Sequence, residues 1–174
     1  MSVRPSILAA LLAAAMAAPA AAQSPTDPQI AAIVVAANTV DIDAGKLAAK
    51  RSSNAEVKAF AQQMIQDHSA VNASATKLVT KLHVTPEANP TSKQLADGGD
   101  ANLKALKQQK GAEFDKAYID HEVTYHQSVL DALDQTLIPS AQNAELKALL
   151  EQTRPAFVAH LAHAKHVQES LAKQ

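Results

Sequence analysis

The spacing of apolar residues along the chain predicts four long amphipathic helices. Apolar side chains recur at intervals of three and four residues in about 28–51, 55–82, 100–137 and 144–171, which is the period of an α-helix with one buried face. Polar stretches, prolines and glycines separate these segments, and no segment shows the alternation that a strand would require. We therefore predict an all-α protein.

The connections between the segments predict how the helices pack. The links at 52–54 and 139–143 are short, so the helices that each link joins should lie antiparallel. Residues 83–98 contain Pro86 and Pro90 and end at the first of two adjacent glycines, Gly98 and Gly99, and we expect a long non-helical connection there, with a further loosening near Gly111. Two hairpins joined in this way predict an antiparallel four-helix bundle over 28–171.

The first residues have the pattern of an export signal. Arg4 precedes an apolar centre, and small residues follow at 20–22, so we expect a signal peptide at 1–22 with cleavage after Ala22 and a short linker at 23–27. No later segment approaches eighteen consecutive apolar residues, and the mature chain is predicted to have no transmembrane segment. The sequence thus predicts an exported protein.

Composition excludes several classes of function. The formal net charge is −1 and 3% of the residues are aromatic, so the chain has neither the basic surface nor the stacking side chains of a nucleic-acid-binding protein. It contains no cysteine, and any metal must be held by nitrogen and oxygen. No nucleophile elbow or phosphate-binding glycine loop is present, so the sequence predicts no enzymatic reaction.

Each apolar stripe is interrupted near its middle by one ionisable residue. These residues are Asp41, His68, His121 and His160. At about 1.5 Å per residue, the distances from the turns place all four within roughly 12 Å along the bundle axis. Neutral imidazoles and a carboxylate at one depth predict a site for one divalent transition metal, namely zinc, iron or copper.

Three neighbouring residues extend this prediction. Glu122 and His126 lie four apart on the flank of the third helix, and His163 follows His160 by three, so each is a candidate additional ligand. A single histidine on an apolar stripe is more often a hydrogen-bonded core residue than a ligand. The alternative hypothesis is therefore a non-enzymatic envelope or stress-related protein whose core histidines form hydrogen-bonded pairs without metal.

The third helix carries a second apolar face, and its meaning is open at the sequence level. The face consists of Ile119, Val123, Leu130 and Leu133. It predicts either a homodimer or a helix that contacts two neighbours within the bundle. No feature of the sequence identifies another protein partner.

Several segments resemble one protein family. They are DIDAGKLA at 41–48, NAEVKAFAQQMIQDH at 54–68, FDKAY at 114–118, and TRP at 153–155 followed by His160 and Leu161. They resemble the bacterial exported family known as domain of unknown function (DUF) 4142, over about 28–171. The resemblance implies a ferritin-like helical bundle, usually periplasmic or assigned to the outer membrane, with no established activity.

The residues that ferritin-like di-iron proteins use are not all present. Those proteins place a Glu-x-x-His element on each of two helices. Here Ile65, Tyr118 and Phe157 occupy the positions three before the stripe histidines. The glutamate that the resemblance implies on the first helix is replaced by the shorter Asp41. Di-iron oxygen chemistry is therefore not predicted.

Overall fold

The computed structural model describes residues 24–174, and the predicted signal peptide lies outside the described residues. The helices are α1 Asp27–Arg51, α2 Ala55–Lys81, α3 Pro90–Gln108, α4 Gly111–Ala132, the short α5 Ile138–Ser140 and α6 Ala144–Leu171, with a π-helical turn at Leu133–Leu137. Residues 24–174 contain no strand, and the all-α prediction is confirmed. Over the same residues, no helix combines the length and apolar character needed to cross a membrane.

Four of these helices, α1, α2, α4 and α6, form the bundle, and each is antiparallel to its neighbours. Lys81 at the end of α2 pairs with Glu145 at the start of α6. Arg51 at the end of α1 lies over the ring of Phe114 at the start of α4, 5.1 Å from the ring centroid. The order around the bundle is therefore α1, α2, α6, α4, with the predicted antiparallel arrangement.

The prediction of a non-helical connection over 83–98 was wrong from Pro90 onward, where α3 begins. Asn89 caps this helix by accepting a hydrogen bond from the backbone N–H of Ser92, and the Ser92 hydroxyl accepts one from the backbone of Asn89. Proline in the first helical turn has no intrahelical hydrogen bond to lose, so Pro90 starts the helix rather than ending one. The expected single helix over 100–137 is divided at Gln109 and Lys110, where the backbone is extended.

The helix α3 runs parallel to α1 along the outside of the bundle. At one end the Asn89 amide donates to the carbonyl of Gln29 at 3.1 Å. At the other end the Arg51 guanidinium donates to the carbonyls of Lys107 and Gln109 at 2.9 and 2.7 Å. The long connection is thus a helical crossover that returns the chain to the end of the bundle where α4 begins.

A layer of polar residues divides the apolar core into two parts. One part contains Ile30, Val34, Leu130 and Leu150, and the other contains Phe60, Met64, Phe114 and Ala164. On each of the four bundle helices a buried ionisable residue lies between these two parts. The described core is therefore apolar at both ends and polar in the middle.

The second apolar face of the predicted third helix lies inside the bundle. Ile119, Leu130 and Leu133 are buried, and Val123 packs against both parts of the core. These side chains contact neighbouring helices of the same chain, which is the second of the two interpretations of this face. The homodimer has no support from these residues.

The packing of α3 on α1 predicts opposite effects for the adjacent residues Gly98 and Gly99. A Cβ atom at Gly99 would lie 2.7 Å from Cγ2 of Val40, whereas one at Gly98 would have no contact within 4 Å. We expect Gly99→Ala to lower the free energy of unfolding by about 1–3 kcal/mol through overpacking. We expect Gly98→Ala, the matched control, to raise it by about 0.5–1 kcal/mol through helix propensity. Urea unfolding measures both, and equal stabilisation by the two variants would show that α3 does not pack in this way.

Candidate metal centre

Five ionisable side chains from the four bundle helices form one buried cluster. They are Asp41 on α1, His68 on α2, Glu122 and His126 on α4, and His160 on α6, all between 0% and 2% exposed. One nitrogen from each of the three histidines lies within 4.8 Å of the others, and a second set with the same spacing joins Asp41, Glu122 and His126. Because His126 belongs to both sets, the two sets lie side by side in the bundle core.

The three imidazole rings are arranged as a nearly equilateral triangle. The ring centroids are separated by 5.6 Å between His68 and His126, 5.2 Å between His68 and His160, and 5.4 Å between His126 and His160. The Phe157 ring lies 5.1 Å from His68 in an edge-on arrangement and 5.9 Å from His126. An aromatic ring therefore shields one side of the triangle.

The hydrogen bond to His68 fixes which of its ring nitrogens carries the proton. Nδ1 of His68 lies 2.7 Å from Oδ1 of Asn38, whose Nδ2 donates to the carbonyl of Val34 at 2.8 Å. The second bond orients the Asn38 oxygen toward the ring. An amide oxygen only accepts, so Nδ1 of a neutral His68 must be the donor and Nε2 must carry a lone pair.

The same reasoning applies to the other two histidines. Nδ1 of His126 is 3.0 Å from the backbone carbonyl of Glu122, and Nε2 of His160 is 2.9 Å from Oδ2 of Asp67. Both partners are acceptors, so Nε2 of His126 and Nδ1 of His160 carry the lone pairs. Within residues 24–174 these two nitrogens and Nε2 of His68 have no hydrogen-bond partner. Outward hydrogen bonds of this kind orient the histidines of metal sites.

The two carboxyl groups of the cluster are equally isolated. Oδ2 of Asp41 lies 3.4 Å from Nε2 of His68, and Oε2 of Glu122 lies 3.4 Å from Nδ1 of His126. None of the four carboxyl oxygens forms a hydrogen bond to another described residue. Burial raises the pKa of Glu122 to about 7. Burial, with a further contribution from Glu122, raises the pKa of Asp41 well above its usual value.

The environment favours neutral imidazoles. Burial lowers the pKa of His68 to about 2, and the neighbouring His126 and His160 contribute to this shift. Burial also lowers the pKa of His160, against the opposing effect of its hydrogen bond to Asp67. A neutral imidazole is the form that binds a metal ion, so the cluster is prepared for coordination near neutral pH.

Two of the histidines proposed from the sequence lie outside the centre. His121 is partly buried and stacks on Tyr125, with a centroid distance of 5.5 Å. His163 contacts Oε1 of Gln63 through Nδ1 at 3.0 Å and packs against the ring of Phe60. The centre uses His126 where the sequence pattern favoured His121.

On α4 the prediction selected a row of residues that is displaced by one position from the row that faces the core. The buried row is Phe114, Tyr118, Glu122, His126 and Leu130, whereas the prediction placed His121 on the central row. Consecutive residues differ by about 100° around a helix. Because α4 contacts both α1 and α6, its apolar surface is broad, and Ala117, Tyr125 and Val129 are partly buried on its flank.

Sequence reasoning also missed the residues that orient the histidines. Asn38 on α1 holds His68 on α2, and Asp67 on α2 holds His160 on α6. Asp67 precedes His68 in the chain, but its contact is with another helix. Only the three-dimensional structure reveals such pairs, since neither has a characteristic sequence spacing.

The fold and the cluster together define an all-helical bundle protein with a buried histidine–carboxylate centre. The family model described as domain of unknown function (DUF4142) matches residues 12–167, and the chain belongs to this family. Comparison with curated proteins and with solved structures gave no match. The family resemblance in the sequence is therefore confirmed.

The pKa shifts of His68 and Glu122 predict opposite pH dependences in the metal-free protein. Through His68, stability falls as the pH is lowered from about 6.5 toward 2, because the unfolded residue binds a proton near its ordinary pKa of 6.5 while the folded residue does so only near 2. Through Glu122, stability falls as the pH is raised from about 4.5 to 7, because folded Glu122 keeps its proton up to about pH 7 while the unfolded residue releases it near 4.5. Each group changes the free energy of unfolding by at most about 1.4 kcal/mol per pH unit.

Urea unfolding of chelator-treated protein between pH 3 and 8 measures this dependence. His68→Gln should weaken the loss of stability as the pH is lowered from 6.5, and Glu122→Gln should weaken the loss as the pH is raised from 4.5 to 7. An unchanged dependence below pH 6.5 in the His68 variant would contradict the assignment.

Proposed function

We propose that this is an exported protein that binds one divalent transition-metal ion in the core of its helical bundle. His68, His126 and His160 are the nitrogen ligands, and Asp41 or Glu122 completes the shell. The observation that carries the proposal is the convergence of three imidazole nitrogens that have no hydrogen-bond partner among the described residues.

The three inward nitrogens are acceptors, and this favours a cation. Each nitrogen carries a lone pair, and carboxyl groups that release their protons when a metal ion binds add carboxylate oxygens to the set. One water molecule has two hydrogens to donate, so it leaves at least one of the three nitrogens without a partner. A metal ion accepts electron pairs from all of them at once.

The cost of an unsatisfied cluster supports the same conclusion. A buried polar group without a partner costs about 1–3 kcal/mol, and small domains are stable by only about 5–15 kcal/mol in total. Three nitrogens and a carboxyl pair therefore cost a large part of the stability of the whole bundle. A bound ion converts this cost into binding free energy.

The ligand set restricts the choice of metal and the kind of site. With nitrogen and oxygen donors and no thiolate, zinc, copper(II) and iron(II) are the best matches. Structural metal sites are closed, whereas catalytic sites keep one position open for a substrate. The ligands here are almost fully buried and number at least four, which supports metal retention rather than a hydrolytic or redox reaction.

Metal analysis of protein purified without an affinity tag tests this proposal. We expect one ion per chain in the wild type and in His121→Ala and His163→Ala, the controls that remove histidines lying outside the centre. The double variant His68→Ala/His160→Ala should lose the ion. Equal and substoichiometric metal in the wild type and the double variant would instead favour a structural protein without metal.

The orienting hydrogen bond of His68 gives a more selective test. Asn38→Ala removes the acceptor that holds Nδ1, so the ring loses its preferred orientation while all ligands remain. We expect metal affinity to fall about 10- to 100-fold with unchanged stoichiometry. The control Asn72→Ala removes a side-chain amide that contacts Thr39 outside the cluster. Competition with a chromophoric chelator measures both, and equal affinities would show that Asn38 does not support the site.

A further inference from the structure

A surface cavity lies beside the buried centre, between α1, α3 and α4. Its volume is about 290 Å³. The lining includes Val40 from α1, Gln94, Leu95 and Gly98 from α3, and His121 and Tyr125 from α4. The crossover helix α3 forms its outer wall, so this cavity exists only because the connection between α2 and α4 is helical.

One aromatic ring separates this cavity from the centre. Tyr125 lines the cavity, and its ring meets the His126 ring edge-on with a centroid distance of 6.3 Å. The Tyr125 hydroxyl donates to the carbonyl of Ala37 at 3.0 Å, which anchors the ring to α1. Tyr125 therefore borders both the cavity and a histidine of the centre.

His121 lies at the cavity side of the same ring. It stacks on Tyr125 with 15° between the ring planes, and its Nδ1 has no hydrogen-bond partner in residues 24–174. The side chains His121, Tyr125 and His126 thus form a continuous series from the cavity to the centre. The two ends of the series are imidazoles that are able to bind the same ion.

We propose that this cavity is the entrance through which a transition-metal ion reaches the centre, and that His121 binds the ion first. The inference rests on the proposed function, because an entrance has meaning only if the centre binds metal. It adds a transient binding site and a route. It also gives a role to His121, which lies outside the ligand set.

Two further cavities lack such a ring. One of about 500 Å³ lies at the end of the bundle near Asp115, Gln168 and Leu171, and one of about 200 Å³ lies near Asp43, Gly99 and Leu103. Neither is lined by an aromatic side chain. Among these three cavities, only the one at His121 is lined by a ring that packs against a histidine of the centre.

Gly98 provides a way to close the entrance without disturbing the fold. Thr91, Gln94 and Gly98 all line the cavity, and their spacing of three and four places them on one face of α3. A Cβ atom at Gly98 has no contact within 4 Å, so a leucine there projects over the cavity without a clash. Leucine also favours a helix more than glycine does.

The test compares Gly98→Leu with Ala101→Leu, a control at an exposed position of the same helix outside the cavity lining. Chelator-treated proteins are mixed with zinc(II) in a stopped-flow instrument, and uptake is followed by competition with a chromophoric chelator. We expect uptake by Gly98→Leu to be at least tenfold slower than wild type, with unchanged final stoichiometry. Ala101→Leu should load at the wild-type rate.

His121→Ala tests the first ligand separately, and it should also slow uptake while the final stoichiometry remains one. Wild-type uptake rates in both variants would overturn the proposed entrance, since the ion would then arrive by another route or during transient unfolding. Uptake by His121→Ala at the wild-type rate or faster would remove His121 from the route. A wild-type protein that binds no zinc, copper(II) or iron(II) at equilibrium would instead overturn the proposed function itself.

Discussion

The hydrogen bonds that hold the outward nitrogens of the core histidines determine much of the structure around them. Because Asn38, Asp67 and the Glu122 carbonyl are all acceptors, each histidine is left with a lone pair facing its neighbours. Two of these bonds join different helices and so fix the register of α2 against α1 and α6. The apolar parts of the core on either side then pack around a layer whose depth is already set.

Charge explains how such a layer persists in the bundle. Burial disfavours the charged forms of both residue types, so the pKa of His68 is lowered while the pKa of Asp41 and that of Glu122 are raised. A metal-free cluster thereby approaches neutrality by holding protons on its carboxyl groups. A bound divalent ion would replace those protons and restore the attraction between opposite charges, so metal binding would be coupled to proton release.

Local signals in the sequence predict most of the helices but only part of the centre. Caps and breakers close to α1, α2 and α6 place their ends within about one residue of the observed bounds. The prediction at Pro90 was wrong because a proline can either end or begin a helix. The need for glycine at position 99 follows only from its close contact with Val40. On α4 the apolar surface is so broad that periodicity does not distinguish the row facing the core, and the prediction therefore selected His121 instead of His126. The orienting contacts of Asn38 and Asp67 are non-local and leave no local pattern.

The helix α3, part of which was predicted to be a non-helical connection, relates the fold to the proposed metal binding. A cluster with exposures of 0–2% retains an ion well but exchanges it slowly, since solvent does not reach the ligands directly. A bundle closed by short loops alone would expose the α1–α4 side of the layer or bury it completely. A crossover helix that packs on α1 through Gly99 and leaves space beside Gly98 does neither. It covers the α1–α4 side of the layer and leaves one aromatic side chain, Tyr125, between His126 and a cavity of about 290 Å³.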